Sequence, residues 1–193
     1  MPSPRASHEN NSHEINIRSP RYYIARTVST CWHCGSPTAL VAIAVPPGHE
    51  TLDVDDDASG EGSDGETQHR EHPAAAWSAA DHNAFLFYVD FLPAAVQERI
   101  NQYQPAYRSL DAAAAAPAPA AGGGPGSYWV NHCEKCGCQL DDHELFCEPE
   151  GAFLPTSEST AAAIHLVLVD EPFETSAAGY SYEPPLFDAM IRG

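Results

Sequence analysis

The sequence is poor in basic residues. It carries nine Lys and Arg against 27 Asp and Glu, which gives a formal net charge of −18, and Lys135 is its single lysine. Proteins that bind nucleic acids or anionic membranes non-specifically gain affinity when Lys and Arg displace counterions from phosphates. This composition therefore disfavours both classes of binding protein.

The sequence also lacks a long hydrophobic run. Its longest apolar stretches, at residues 39–45, 84–89 and 164–169, are far shorter than the ~20 residues that a membrane helix needs. Charged residues interrupt the first thirty positions, so no secretory signal is recognisable. We therefore expect a cytoplasmic protein without a membrane segment. In a reducing compartment, the six cysteines are more typical of metal ligands than of structural disulfides.

Composition divides the chain into ordered and disordered parts. Residues 1–20 are polar and show no hydrophobic periodicity, which predicts a disordered tail. Residues 48–72 are rich in Asp, Glu and Gly, and residues 111–126 in Ala, Pro and Gly, so both are predicted to be disordered loops. The rest of residues 21–193 is predicted to form a single domain interrupted by these loops.

Aromatic and β-branched residues predict a hairpin around the first cysteine pair. Its strands begin at Tyr22 and Thr38, and the cysteines lie at its tip. Further strands are predicted at residues 85–91, 128–130 and 164–169, and short helices after Pro93, over residues 161–163 and over residues 186–191. This pattern predicts an α+β fold, in which a small antiparallel sheet is accompanied by short helices and two long disordered insertions.

The most specific motif is a repeated C-x-x-C-G pattern. Cys31 and Cys34 form the first copy, Cys133 and Cys136 form the second, and a glycine follows each copy. The two-residue spacer lets both sulfurs reach one ion, and glycine adopts the left-handed backbone conformation of the turn at little cost. Two copies supply the four thiolates of a tetrahedral site. Zn²⁺ is the default ion for such a site, and iron is the chemical alternative.

We call each C-x-x-C-G copy a knuckle, the first at residues 31–35 and the second at residues 133–137. The arrangement resembles a zinc ribbon, in which two knuckles at hairpin tips bind one ion. The resemblance covers residues 22–45 and 128–146, and it implies that the four cysteines are the ligands. The chain is also similar to uncharacterised bacterial zinc-ribbon-like proteins with separated knuckles, a likeness that supplies no activity.

The chain departs from the compact zinc ribbon in the distance between its knuckles. Cys34 and Cys133 are 99 positions apart, whereas about 15 to 20 residues are usual. Either a large insertion separates the two halves of one site, or the pairs belong to two sites. An aromatic-rich strand precedes each knuckle, which favours the insertion.

Four residues near the knuckles are alternative ligands. Cys138 can replace Cys136, and Cys147 can join a second ion, although a buried or incidental thiol is the simpler interpretation of both. His33 and His132 adjoin the knuckles, but residues at such positions normally point away from the metal.

Catalysis is not expected from this motif. A redox pair needs a thiolate at a helix N-terminus, and no helical pattern follows either copy. A zinc hydrolase needs an open coordination position and a carboxylate base, whereas four thiolates complete the tetrahedral shell of the ion. We therefore expect a structural zinc protein that acts as a protein-interaction or regulatory module for an unidentified protein partner.

Nucleic-acid binding is the alternative function. Arg18, Arg21 and Arg26 form the basic cluster of the sequence, and they flank Tyr22 and Tyr23. Arginines can contact phosphates, and tyrosine rings can stack on bases. The overall negative charge makes this alternative the weaker one.

Overall fold

The computed structural model of the protein describes residues 14–53, 76–110 and 128–193. In these residues the chain forms twelve strands, three α-helices and one 3-10 helix. The strands are β1 (Ile17–Ser19), β2 (Tyr22–Thr30), β3 (Pro37–Val45), β4 (Glu50–Asp53), β5 (Ala76–Ala79), β6 (Ala84–Phe91), β7 (Arg108–Leu110), β8 (Tyr128–His132), β9 (Gln139–Leu140), β10 (His165–Val169), β11 (Phe173–Tyr180) and β12 (Ile191–Arg192). The helices are α1 (Ala94–Asn101), α2 (Asp142–Phe146) and α3 (Glu158–Ala161), and the 3-10 helix is Phe187–Ala189.

The strands join into one large mixed sheet. Nine strands follow one another in the order β12-β10-β2-β3-β6-β11-β1-β4-β5. The other three form a branch, in which β8 pairs with β6, and β7 and β9 each pair with β8. Among the described residues, the pairing of β10 with β12 is parallel, and the other pairings are antiparallel. The predicted α+β fold with a small antiparallel sheet is therefore wrong, because the sheet has twelve strands and includes a parallel pair, although the helices are short as predicted.

The size of the sheet was not predicted because several strands lack an apolar alternation. β11 contains Ser176, Ala177, Ala178 and Gly179 in succession, and such small residues give little strand signal. β11 nevertheless pairs with β6 on one edge and with β1 on the other. Its strand conformation is thus fixed by its neighbours in the sheet rather than by its own sequence.

Two strands lie inside segments for which the sequence predicts disorder. β1 falls within residues 1–20, so the sheet begins before Arg21, and β4 falls at the start of residues 48–72. Residues 54–72 of the predicted loop 48–72, all of the predicted loop 111–126 and residues 1–13 lie outside the described residues. The assignment of residues 21–193 to a single domain stays a prediction.

The hairpin predicted around the first cysteine pair is confirmed. β2 and β3 pair antiparallel, with Tyr23 opposite Ala44 at one end and Thr30 opposite Pro37 at the other. The first knuckle therefore lies at the tip of this hairpin, between the end of β2 and the start of β3.

β3 is buried on both faces of the sheet. Val41 and Ile43 belong to one cluster of buried apolar residues, and the alternating Leu40 and Ala42 belong to a second cluster. A strand that is covered on both faces reads as a continuous apolar run, which explains the sequence of residues 39–45.

Helices and loops cover the two faces. α1 begins after Pro93 as predicted, and its Val96 and Ile100 are buried in the first cluster. The second cluster contains the rings of Phe146 and Phe153. None of the helices in the described residues has the length and apolar character that a membrane crossing requires.

Candidate metal centre

The first knuckle follows β2 directly. The backbone N–H of Cys31 donates to the carbonyl of Ser36 at 2.9 Å, and the N–H of Gly35 donates to the carbonyl of Cys31 at 2.9 Å. Gly35 has a φ of +68°, in the left-handed region where glycine is favoured. This turn holds Cys31 and Cys34 on the same side of the hairpin tip.

The second knuckle repeats this geometry between β8 and β9. The N–H of Cys133 donates to the carbonyl of Cys138 at 2.9 Å, and the N–H of Gly137 donates to the carbonyl of Cys133 at 2.8 Å. Gly137 has a φ of +73°. The two copies of the motif are therefore equivalent in backbone structure as well as in sequence.

Side chains outside the motif join the two knuckles. The amide of Asn131 donates to the carbonyl of Val41 at 2.9 Å and accepts the N–H of Val41 at 3.0 Å. The hydroxyl of Thr38 accepts the N–H of Glu134 at 3.3 Å. β3 pairs with β6 only at the end away from the knuckles, over residues 43–45. Near the knuckles, these side-chain contacts therefore hold β8 against β3.

The four motif sulfurs converge at this junction. The Sγ atoms of Cys31, Cys34, Cys133 and Cys136 all lie within 4.8 Å of one another. The Cys31–Cys136 and Cys34–Cys133 sulfur distances are both 3.7 Å. Four sulfurs bound at about 2.3 Å to one tetrahedral ion would be about 3.8 Å apart. The cluster therefore has the size and composition of a four-thiolate metal site.

The burial of the four cysteines is graded. Cys31 and Cys133 are each 1% exposed and belong to the second apolar cluster, whereas Cys34 is half-buried and Cys136 is exposed. One side of the site is thus packed against the core, and the other side faces solvent.

Local hydrogen bonds lower the pKa of three of these thiols, Cys31, Cys34 and Cys133, and so favour their thiolate forms, whereas burial and the neighbouring cysteine sulfurs raise the pKa of Cys136. The hydroxyl and the backbone N–H of Ser36 lower the pKa of Cys34. Hydrogen bonds from the backbone N–H groups of Cys136 and Lys135 lower the pKa of Cys133, against the opposing effect of burial. Donors directed at a sulfur stabilise its charged form, which is the form that binds a metal ion.

A fifth sulfur lies beside the cluster. The Sγ of Cys138 is 3.3 Å from the Sγ of Cys31, although Cys138 does not belong to the group of four mutually close sulfurs. Its position two residues after Cys136 is the sequence signal for this proximity. Cys147, by contrast, is an exposed residue at the C-terminus of α2.

The two adjoining histidines have partners away from the sulfurs. The Nδ1 of His132 is 3.1 Å from the carbonyl oxygens of both Ala106 and Val130. The ring of His33 packs edge-on against Trp32, with 5.5 Å between the ring centres. Neither histidine belongs to the described metal-ligand cluster.

The arginines of the alternative nucleic-acid site are engaged within the protein. Arg18 forms an ion pair with Glu50, and Arg21 lies 3.6 Å from Asp170. Arg26 stacks over the ring of Tyr103 at 4.4 Å. Tyr22 is 1% exposed, so its ring cannot stack on a base in this structure.

Sequence reasoning missed the residues that assemble the site. Asn131 is fully buried and Thr38 is 1% exposed, and neither belongs to the C-x-x-C-G pattern. A buried Asn two residues before a cysteine is a weak signal that many unrelated sequences share. Comparison with models of protein families, with curated proteins and with solved structures finds no match for this chain.

Proposed function

We propose that the protein is a structural zinc protein in which Cys31, Cys34, Cys133 and Cys136 hold one Zn²⁺ between two hairpin tips. The observation that carries this proposal is the convergence of the four sulfurs within 4.8 Å. Zn²⁺ is the preferred ion because its borderline softness and lack of geometric preference suit a tetrahedral shell of thiolates. The paired knuckles are those of a zinc ribbon whose halves are separated by a long insertion.

The proposed role of the ion is structural rather than catalytic. A closed shell of four thiolates leaves no coordination position for a substrate or an activated water. His143 follows the second knuckle, and its Nε2 lies 3.4 Å from a carboxylate oxygen of Glu148. This surface contact supports a structural role for His143 rather than a catalytic one. The protein would then act by binding other proteins, not by catalysis.

Two exposed apolar side chains near the first knuckle support the interaction role. Trp32, within the knuckle, is 68% exposed, and Val28, near the end of β2, is 66% exposed. The indole Nε1 of Trp32 donates to the carbonyl of Gln139 at 3.2 Å, so this side chain links the first knuckle to β9, the strand that follows the second knuckle. A partner that contacts Trp32 would therefore recognise the assembled, metal-bound state.

Native mass spectrometry combined with metal analysis tests the proposal. The protein is purified without added zinc, so that the ion it carries is the one it acquired in the cell. We expect one zinc per chain and no iron. A chain without metal, a chain with iron, or a chain with two ions on the cysteines would contradict the proposed site.

A further inference from the structure

Two buried histidines face each other at the end of β3 that is opposite to the cysteines. His49 follows the turn after β3, and His82 lies in the turn between β5 and β6. Their ring centres are 5.5 Å apart, with ring planes at 85°. The cysteine knuckle precedes β3 and this pair follows it, so the nine-residue strand places roughly 30 Å between the two locations.

Backbone contacts hold the two turns together. The N–H of Gly48 donates to the carbonyl of Ala80 at 2.7 Å, and the N–H of Ala80 donates to the carbonyl of His49 at 2.8 Å. The ring of Tyr182, from the segment after β11, lies 4.1 Å from the ring of His82. Three segments of the fold therefore enclose the pair.

Three ring nitrogens of this pair have no hydrogen-bond partner in the described residues. They are Nε2 of His49 and both Nδ1 and Nε2 of His82. His49 is 1% exposed, and the side chain of His82 is 8% exposed. Buried polar atoms are nearly always satisfied by protein, water or an ion, so we expect a water molecule or an ion beside these nitrogens.

The tautomer of His49 is fixed by its one hydrogen bond. Its Nδ1 lies 2.9 Å from the carbonyl oxygen of Pro46, and because a carbonyl only accepts, Nδ1 carries the proton. Nε2 then carries a lone pair in a buried position. Metal-binding histidines characteristically donate their other ring N–H to a carbonyl or carboxylate in this way. Burial also lowers the pKa of His49, which keeps the ring in its neutral, ligating form.

The ring nitrogens of His82 are both available to an ion. The Oδ1 of Asp81 lies 3.6 Å from its Nδ1, which is too long for a hydrogen bond, so neither ring nitrogen of His82 is engaged by a hydrogen bond in the described residues. Two imidazoles bound to one tetrahedral ion, at metal–nitrogen distances of about 2 Å, have ring centres roughly 5 Å apart. The observed separation of 5.5 Å is close to this value.

We propose that His49 and His82 bind a divalent transition-metal ion, with water completing its coordination, at a second site independent of the cysteine cluster. Imidazole ligands suit Zn²⁺, Cu²⁺ and Ni²⁺. The ion links the turn after β3 to the turn before β6, and it satisfies two of the buried ring nitrogens. With two protein ligands, it binds more weakly than the ion on the four cysteines.

Equilibrium dialysis of the full chain against Zn²⁺ tests this site. The cysteine site is filled first, and the bound metal per chain is then counted by elemental analysis as free zinc is raised. We expect a second equivalent to bind to the wild type. H49Q and H82Q should each weaken this second equivalent by at least about tenfold and retain the first. A second equivalent that is absent in the wild type, or unchanged in both variants, overturns the proposal.

Two controls separate this site from binding elsewhere. H143Q changes an exposed histidine, and a paired H69Q/H72Q variant changes two histidines outside the described residues; neither should affect the second equivalent. If H49Q or H82Q also loses the first zinc, zinc binding to the wild type is followed by ¹⁵N NMR of its histidine rings. We then expect added Zn²⁺ to shift the ring nitrogens of the two buried histidines, and unshifted signals overturn the proposal.

Discussion

The side-chain amide of Asn131 forms both of the hydrogen bonds that a neighbouring strand would form with Val41. It accepts the N–H of Val41 at 3.0 Å and donates to its carbonyl at 2.9 Å. β3 carries the first knuckle and β8 carries the second, so this one side chain connects the two halves of the cysteine cluster. The contact brings together two knuckles whose cysteines Cys34 and Cys133 are 99 positions apart in the sequence.

Replacing Asn131 by leucine should therefore affect both the fold and the site. The change keeps the branched shape of the side chain but leaves the buried N–H and carbonyl of Val41 without partners, which should cost about 3 kcal/mol of unfolding free energy. Zinc affinity should also fall, because the knuckles lose their link. Urea unfolding measures the first effect, and competition with a chelator measures the second.

The exposed Asn101 at the end of α1 provides the matched control. N101L should change the unfolding free energy by less than about 0.5 kcal/mol and leave zinc affinity unchanged. Equal effects of N101L and N131L would show that the link to Val41 is not responsible.

Cys138 should be dispensable for metal binding despite its position. Its sulfur is 3.3 Å from that of Cys31, but four thiolates already complete a tetrahedral shell. The double variant C138S/C147S should keep one zinc per chain. In the wild type, the exposed Cys147 should react directly with an alkylating reagent, and Cys138 should react when local opening exposes it. Both reactions should precede the release of zinc. Loss of zinc from the double variant would assign these cysteines to the site.

The buried carboxyl of Asp142 predicts a specific pH dependence of stability. Burial raises its pKa to about 7, against the lowering effect of the hydrogen bond from the N–H of Tyr88. The folded state therefore binds the proton more tightly than the unfolded state, whose pKa is near 4. The carboxyl should lower stability progressively as the pH rises from about 4 to 7, by up to about 4 kcal/mol.

The variant D142N isolates this effect. Its side-chain oxygen can still accept the N–H of Tyr88, and it has no proton to lose. The unfolding free energy of D142N minus that of the wild type should increase as the pH rises toward 7 and then stay constant, with zinc saturating throughout. A control variant at the exposed Asp188, D188N, should show no such increase. A difference that is independent of pH would contradict the assignment of a raised pKa to Asp142.

The acidic segment after β4 should be dispensable for the metal site. Deleting part of residues 54–72, which lie outside the described residues, should leave zinc content unchanged, because the entropy of loop closure varies slowly with length. The deletion must spare β4, which pairs with β1 and β5. A marked loss of zinc after this deletion would mean that its His or Asp residues act as ligands.

The sequence contained enough information for the local elements with strong patterns. The hairpin of β2 and β3 follows from aromatic and β-branched residues on both sides of Cys31 and Cys34. The start of α1 follows from Pro93. The helix predicted over residues 161–163 lies a few residues earlier, at Glu158–Ala161, because Ser157 caps it by accepting the N–H of Thr160.

The features that depend on long-range contacts could not be predicted in this way. The small residues of β11 carry no strand pattern of their own, and their conformation depends on β6 and β1. The burial of Asn131 depends on the packing of β8 beside β3. His49 and His82 lie in separate turns, and their proximity arises only when β3 pairs with β6.

The central claim is that both knuckles share a single zinc ion, and metal analysis of the variant C133S tests it most directly. Cys133 belongs to the second knuckle, and its sulfur is 3.7 Å from that of Cys34 in the first. We expect C133S to lose its zinc and to loosen the apolar cluster that includes Cys31, because metal binding is coupled to folding. C147S, at an exposed cysteine, should keep one zinc per chain. Full zinc occupancy in C133S would contradict the shared site.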